Sequence, residues 1–269
     1  MAMNSTATLV EHVPSADGTP IACERSGSGP NLVVVNGALS DRRSTAGLRP
    51  HLDPHLTVIG YDRRGRGDSG DDARYAPERE MEDLAAVIGA TGGQAFVFGQ
   101  SSGAVLALEA ALRGLPISRL ILNEPPYIVG DTRRRPSADL AERLRRLVDA
   151  GDQKAAVHLF LKDAVGIPED AVYELQSGPA WPRMLGLAAT IAYDVTITDG
   201  NELPPIDRLA TFPTPTLVTC GEATARWIQI GTSALAESLP NGRLETLAGQ
   251  GHTPAPEILA SALLRFLTG

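Results

Sequence analysis

Along the first 125 residues, short runs that are apolar at nearly every position alternate with longer stretches whose apolar positions recur every three or four residues. The runs at 32–35, 56–59, 95–98 and 120–122, and later 216–220, have the pattern of strands buried on both faces. Residues 244–247, interrupted by Glu245 and Thr246, have that of an edge strand. The stretches near 41–53, 78–91, 102–113, 229–239 and 256–267 repeat at helical spacing. Residues 7–13 and 20–25, on either side of Ser15-Ala16-Asp17-Gly18, predict an opening β-hairpin. Strand and helix in alternation predict a mostly parallel sheet covered by helices on both faces, an α/β fold.

The alternation stops between residues 126 and 212. There the pattern is mainly helical, at 138–150, 154–165 and 169–175, and is punctuated by Pro168, Pro179, Pro182, Pro204, Pro205 and Pro213. We read it as a helical cap inserted between two strands, with residues 1–125 and 213–269 forming the core; the other reading is a set of ordinary crossover helices.

Composition narrows the function classes. A formal charge of -8 argues against nucleic acid or an anionic membrane as partner. The two cysteines, Cys23 and Cys220, sit in strand-like runs, as buried apolar groups rather than a disulfide framework, and so favour a reducing cytoplasm. The first ten residues, MAMNSTATLV, lack the basic and apolar regions of a leader, and no run approaches the roughly 18 apolar residues of a spanning helix.

The chemistry begins at Gly99-Gln100-Ser101-Ser102-Gly103, placed between a predicted strand and a predicted helix. A G-x-S-x-G turn in that context lifts the serine oxygen clear of the sheet, and its glycines let strand and helix approach. Ser101 is the candidate nucleophile. The Ser102 N–H, at the helix start, is one candidate oxyanion donor. A second is the Ala38 N–H, in the flexible turn Asn36-Gly37-Ala38 after the run at 32–35. Of His12, His51, His55, His158 and His252, only His252 follows the last strand-like run, in Gly249-Gln250-Gly251-His252, where it can reach the elbow as general base. The other four have the setting of surface or cap residues, and no pair has metal-site spacing.

Two further motifs accompany the elbow: Tyr61-Asp62-Arg63-Arg64-Gly65-Arg66-Gly67-Asp68-Ser69-Gly70 after the fourth predicted strand, and Leu122-Asn123-Glu124-Pro125-Pro126 at the end of the sixth. With them the chain resembles the α/β-hydrolase superfamily over essentially its whole length. The resemblance implies an eight-stranded sheet, a cap after strand six, an active site without a cofactor, and the order nucleophile, acid, histidine. It leaves the substrate open. The chain departs from the family pattern at the acid: Gly221-Glu222-Ala223-Thr224 puts Thr224 where most members carry an aspartate. Some members take the acid from the end of strand six, which favours Glu124; Glu222, a dyad without an acid, or a carboxylate supplied from elsewhere are the alternatives.

For the pocket, Tyr127, Trp181 and Trp227, with Met184, Leu185 and Ile228, are bulky groups in segments expected to face the cleft, although packing within the cap explains them equally well. The Arg63-Arg64 and Arg133-Arg134-Arg135 clusters read as solvated, salt-bridged surface. The leading expectation is a serine hydrolase of a small or medium, partly apolar ester, lactone or thioester, needing no metal or organic cofactor, with a small molecule as its partner and a monomeric or homodimeric state. The alternatives are a non-hydrolytic enzyme on the same fold, such as a lyase or isomerase, and a small-molecule binding module with a vestigial site.

Overall fold

The computed structural model describes residues 9–72 and 74–269. Eight strands, β1 (Val10–Pro14), β2 (Pro20–Gly27), β3 (Asn31–Val35), β4 (Thr57–Tyr61), β5 (Ala95–Gln100), β6 (Ile117–Asn123), β7 (Thr216–Gly221) and β8 (Gly242–Leu247), form one sheet in the order β1-β2-β4-β3-β5-β6-β7-β8. β2 runs antiparallel to both its neighbours, β1 and β4, and β3 to β8 pair in parallel. The opening hairpin is present, although positions 7 and 8 of its first predicted strand lie outside the described residues. β7 is buried at every position and β8 is half exposed at the sheet edge, as two-faced and one-faced burial require.

The crossover helices cover both faces. One face carries α2 (Pro77–Gly89), α3 (Ser102–Leu112) and α10 (Arg226–Ser238), whose apolar sides meet Val33, Ile59, Val97, Leu122 and Val218. The other carries the single turn α1 (Arg49–Leu52) and α11 (Pro256–Thr268) against Leu32, Val58, Phe98, Ile121 and Leu217. The helix expected near 41–53 is broken into a 3₁₀ turn, Arg42–Thr45, and α1. Asp41 caps the first piece by accepting from Arg43 N, and Pro50 opens the second, so the two cannot run together.

Between β6 and β7 the chain forms α4 (Leu140–Asp149), α5 (Gln153–Leu159), a π-helical turn (Phe160–Val165), α6 (Glu169–Gln176), α7 (Trp181–Gly186), α8 (Ile191–Thr198) and α9 (Ile206–Ala210). These helices have an apolar cluster of their own, built on Leu140, Leu144, Val157, Val172, Trp181 and Ile191. The stretch expected as one helix over 154–165 changes pitch at Phe160 and ends at Gly166, whose left-handed φ of 86° closes the turn. No helix among the described residues is long and apolar enough to cross a membrane.

Candidate active site

The elbow is built as its spacing requires. Ser101, between β5 and α3, adopts φ 54° and ψ -122°, a strained setting for a residue with a Cβ. Glycine is needed on both sides. A Cβ on Gly99 would lie 2.6 Å from Ala104 Cα, and one on Gly103 would collide with the Val35 and Asn36 carbonyls, so only glycine lets α3 sit this close to β3 and β5. The Ser101 N–H donates to Asn123 O at 2.9 Å, tying the elbow to the end of β6.

Glu124 stands there, with φ 47° and a fully buried side chain. Its Oε1 accepts from Gly221 N at 2.7 Å. Its Oε2 accepts from Thr224 Oγ1 at 2.9 Å and lies 2.6 Å from His252 Nδ1. The carboxylate only accepts, so Nδ1 carries the imidazole proton and Nε2 is left as the acceptor. The histidine loop is seated by close packing: a Cβ on Gly221 would come within 2.6 Å of Gly251 O. Gln250 Oε1 accepts from Ala255 N at the start of α11, and Glu222 Oε2 accepts from Gly249 N, both at 2.8 Å. Glu222, the alternative acid, thus holds the backbone of the loop from an exposed position, while Thr224 donates to the Glu124 carboxylate.

Ala38 and Ser102 flank Ser101 in the lining of one cavity of about 660 Å³, within the roughly 300–1,000 Å³ usual for small-molecule sites. Gly37 presses the turn after β3 onto the elbow, where its Cβ would lie 3.1 Å from Ser101 Cβ. Among the described residues, the backbone N–H groups of Ala38 and Ser102 donate to no other backbone carbonyl. His252, Thr224, Met184, Trp227 and Ile228 share the lining, together with Leu39, Phe160, Leu161, Val165, Ile167, Leu175 and Val195.

Three sequence expectations about the pocket are corrected. Tyr127 is 1% exposed and packs into the core beneath α10, where its carbonyl lies against Gly231. Trp181 and Leu185 pack within the cluster between α4 and α8, because that segment must fill a core of its own and α7 points them into it. None of the three lines the cavity. The wall is supplied instead by the π-helical turn, whose change of pitch selects which of its apolar residues face inward, a choice that helical periodicity does not encode.

The arginines are the other correction. Arg63, Arg64 and Arg66 are at most 1% exposed. Arg63 is held by Glu80, at 2.6 Å, and by Asp194, at 2.8 Å; Arg64 pairs with Asp83 at 2.7 Å and Asp17 at 2.8 Å; Arg66 pairs with Asp194 at 2.9 Å. Glu80 and Asp83 lie three residues apart on the inner face of α2, which is what makes the burial tolerable: each guanidinium meets a desolvated partner. Burial alone would raise the Asp194 carboxyl, but the Arg66 and Arg63 guanidiniums outweigh it and hold it below the usual aspartate value. Arg133 is half-buried, its guanidinium 4.6 Å from the centre of the Trp227 ring and bonded to the carbonyls of Asp163, Ala164 and Val165. Arg134 and Arg135 are exposed as expected.

The fold and this constellation can be set beside known proteins. The model of the alpha/beta hydrolase family matches residues 32–262. The chain belongs to this family. An alpha/beta hydrolase from Sphaerobacter thermophilus is 51% identical to it over 95% of this chain and 99% of that one, with a TM-score of 0.91. At 22% identity, a thermophilic esterase from Thermogutta terrifontis shares the alpha/beta hydrolase fold over 97% of this chain and 98% of its own, with a TM-score of 0.73. The uncharacterized hydrolase YraK of Bacillus subtilis is 34% identical over 100 residues, 36% of this chain, and the match spans only 37% of that relative.

Proposed function

We propose that this alpha/beta hydrolase is a serine esterase that works through an acyl-enzyme, with residues 126–212 acting as a cap over a core made of residues 1–125 and 213–269. The observation that carries the reading is the 2.6 Å contact between the buried Glu124 and Nδ1 of His252, which lines the same cavity as Ser101. A carboxylate in this position fixes the imidazole tautomer and balances the imidazolium that forms during proton transfer.

The steps follow from the groups present. Ser101 Oγ attacks the carbonyl carbon of the ester while His252 Nε2 takes its proton. The carbonyl oxygen becomes an oxyanion held by the Ala38 and Ser102 N–H groups, at about 3 kcal/mol of barrier for each donor. His252 then gives its proton to the departing alkoxide, and the alcohol leaves. Water, deprotonated by the same nitrogen, adds to the acyl carbon; as the second oxyanion collapses, His252 gives that proton to Ser101 Oγ, which restores the hydroxyl and releases the carboxylic acid. Among the described residues, Asp194 is the one Asp, Glu, Lys or Arg in the cavity lining, and it is engaged by Arg63, Arg66 and Ser102. With no Lys or Arg among the described residues of a wall that mixes Leu, Ile, Val, Phe, Met and Trp with Ala, Pro, Gly, Ser and Thr, the site suits a neutral, partly apolar ester, lactone or thioester. The two buried free thiols, Cys23 and Cys220, fit a reducing cytoplasm.

Incubation with a fluorophosphonate probe, followed by intact mass, tests this. One adduct is expected on the wild type, none on Ser101→Ala, and slowed labelling on a folded Glu124→Gln, alongside turnover of p-nitrophenyl esters. A wild type that neither labels nor turns over any ester of the panel would sink the reading and favour a non-hydrolytic or binding role.

A further inference from the structure

Arg66 and Asp194 have no part in the steps above, yet both are buried at 1% exposure immediately behind the proposed oxyanion cradle. Arg66 comes from the loop after β4 and Asp194 from α8, in the segment between β6 and β7. Arg66 Nη1 donates to Gly37 O at 2.7 Å, and its Nη2 lies 2.9 Å from both Asp194 oxygens. Asp194 Oδ1 accepts in turn from Ser102 Oγ at 2.7 Å and from Arg63 Nη1 at 2.8 Å. That Arg63 nitrogen also donates to Asn36 O at 3.2 Å. One continuous set of charge-assisted bonds therefore runs from the peptide that precedes Ala38 to the first residue of α3.

Peptide geometry gives the first of these bonds a direction. The Gly37 carbonyl and the Ala38 N–H belong to one planar unit, which is trans like every described peptide bond, so they point in opposite directions. A guanidinium that fixes the carbonyl fixes the line of the N–H as well. It also draws electron density toward the carbonyl oxygen and makes the N–H a stronger donor. At the other end, the Ser102 hydroxyl anchors the first turn of α3, which carries the second N–H, and two guanidiniums offset the negative charge of Asp194 so close to a developing oxyanion.

We propose that the Arg66–Asp194 pair is the positioning device of the oxyanion cradle, with Arg66 setting the Ala38 N–H through Gly37 O and Asp194 setting the Ser102 N–H through the Ser102 hydroxyl. The proposal rests on the serine-esterase reading. It goes further in making the seating of α8 a condition of the chemical step, because Asp194 arrives on that helix. A pair that merely fastened α8 to the sheet would affect stability and substrate binding and leave the chemistry alone.

The test uses the full chain with p-nitrophenyl butyrate as substrate and two inhibitors. Ser101 adds to 1,1,1-trifluorooctan-2-one, its proton passing to His252, and the hemiketal oxyanion occupies the cradle; octan-2-ol fills the cavity without an adduct. In Arg66→Met, kcat is expected to fall about 100-fold, near the loss of one oxyanion donor, with KM within about threefold. The trifluoroketone should weaken by a similar factor and octan-2-ol should not. Arg66→Lys, whose single ammonium cannot span Gly37 O and both Asp194 oxygens, should recover only part of the loss. Should Arg66→Met not fold, Ser102→Ala, which keeps the backbone N–H, carries the test with an expected loss of about tenfold in kcat and in trifluoroketone affinity. A folded Arg66→Met, or a folded Ser102→Ala in its place, with wild-type kcat and trifluoroketone affinity overturns the proposal, as does a variant that loses both inhibitors equally while keeping kcat. A wild type that neither turns over the ester nor forms the adduct defeats the esterase reading itself, a result separate from any variant.

Discussion

At the scale of single residues, the carboxylate that meets His252 sits at the end of β6 and is held in place by the residue that stands in for the more familiar acid. Thr224 Oγ1 lies 2.9 Å from Glu124 Oε2, so the two positions converge on one point from adjacent strands. Glu124→Gln is expected to lower kcat by about 10⁴, as loss of an orienting carboxylate does. Adding Thr224→Asp to that variant should bring a carboxylate back within reach of Nδ1 and recover tenfold or more of the loss; ester turnover by a double variant no faster than the single one would show that position 224 cannot serve. The two thiols make a second residue-scale prediction. Burial pushes Cys220 up to about 11 and Cys23 up to about 12, and only the thiolate reacts. A chromogenic disulfide reagent at pH 8 should therefore leave the native protein unmodified and label two thiols after denaturation.

At the scale of elements, what matters is how closely strand, turn and helix approach. Ser101 tolerates φ 54° because β5 and α3 are clamped on either side of it, and that clamp depends on two positions without a Cβ. Gly103→Ala would drive a methyl group into the carbonyls of Val35 and Asn36 at the base of the turn that carries Ala38. We expect it to cost about 1–3 kcal/mol of stability in urea unfolding, as overpacking does, and to slow probe labelling of Ser101 as well. Unchanged labelling in a destabilised variant would separate the elbow's packing from its reactivity. The same scale explains the missed pocket wall. Periodicity over 154–165 marks an amphipathic stretch, but the passage from α-helix to π-turn at Phe160 rotates the later side chains relative to the earlier ones, and tertiary packing sets that passage.

For the whole molecule, the segment between β6 and β7 and the sheet meet through buried charge as well as apolar contact. Asp194 is fully desolvated and its carboxyl lies below the ordinary value, so folding favours its ionised form. Such a group contributes stability that is complete above the unfolded value of about 3.9 and is lost as pH falls through the lower folded value. Asp194→Asn should therefore be less stable than the wild type at pH 7, by about 3–5 kcal/mol for a broken buried pair, and the gap should narrow progressively below pH 4. Denaturant unfolding at pH 7 and pH 3.5 reads it directly; an equal gap at both values would mean that the ionised carboxylate contributes nothing.

The chain's own pattern determined the order of strands and helices, the elbow, the loop that carries His252 and the place where the α/β alternation stops, because each of these is local: a strand buried on both faces, a glycine-flanked turn or a helical period is written in a few neighbouring residues. The motif after β4 was equally visible, but its arginines read as solvated surface, since one-dimensional charge patterning does not say which cation meets which carboxylate. Arg63, Arg64 and Arg66 find Glu80, Asp83 and Asp194 from 17, 19 and 128 residues away. The tertiary structure alone decided those pairings, the partner of His252 among two glutamates, and which bulky residues face the cavity and which fill the cores around it. Each depends on where elements remote in sequence come to rest, and a buried charge or a large side chain is stable only where a partner or a matching space is brought to it.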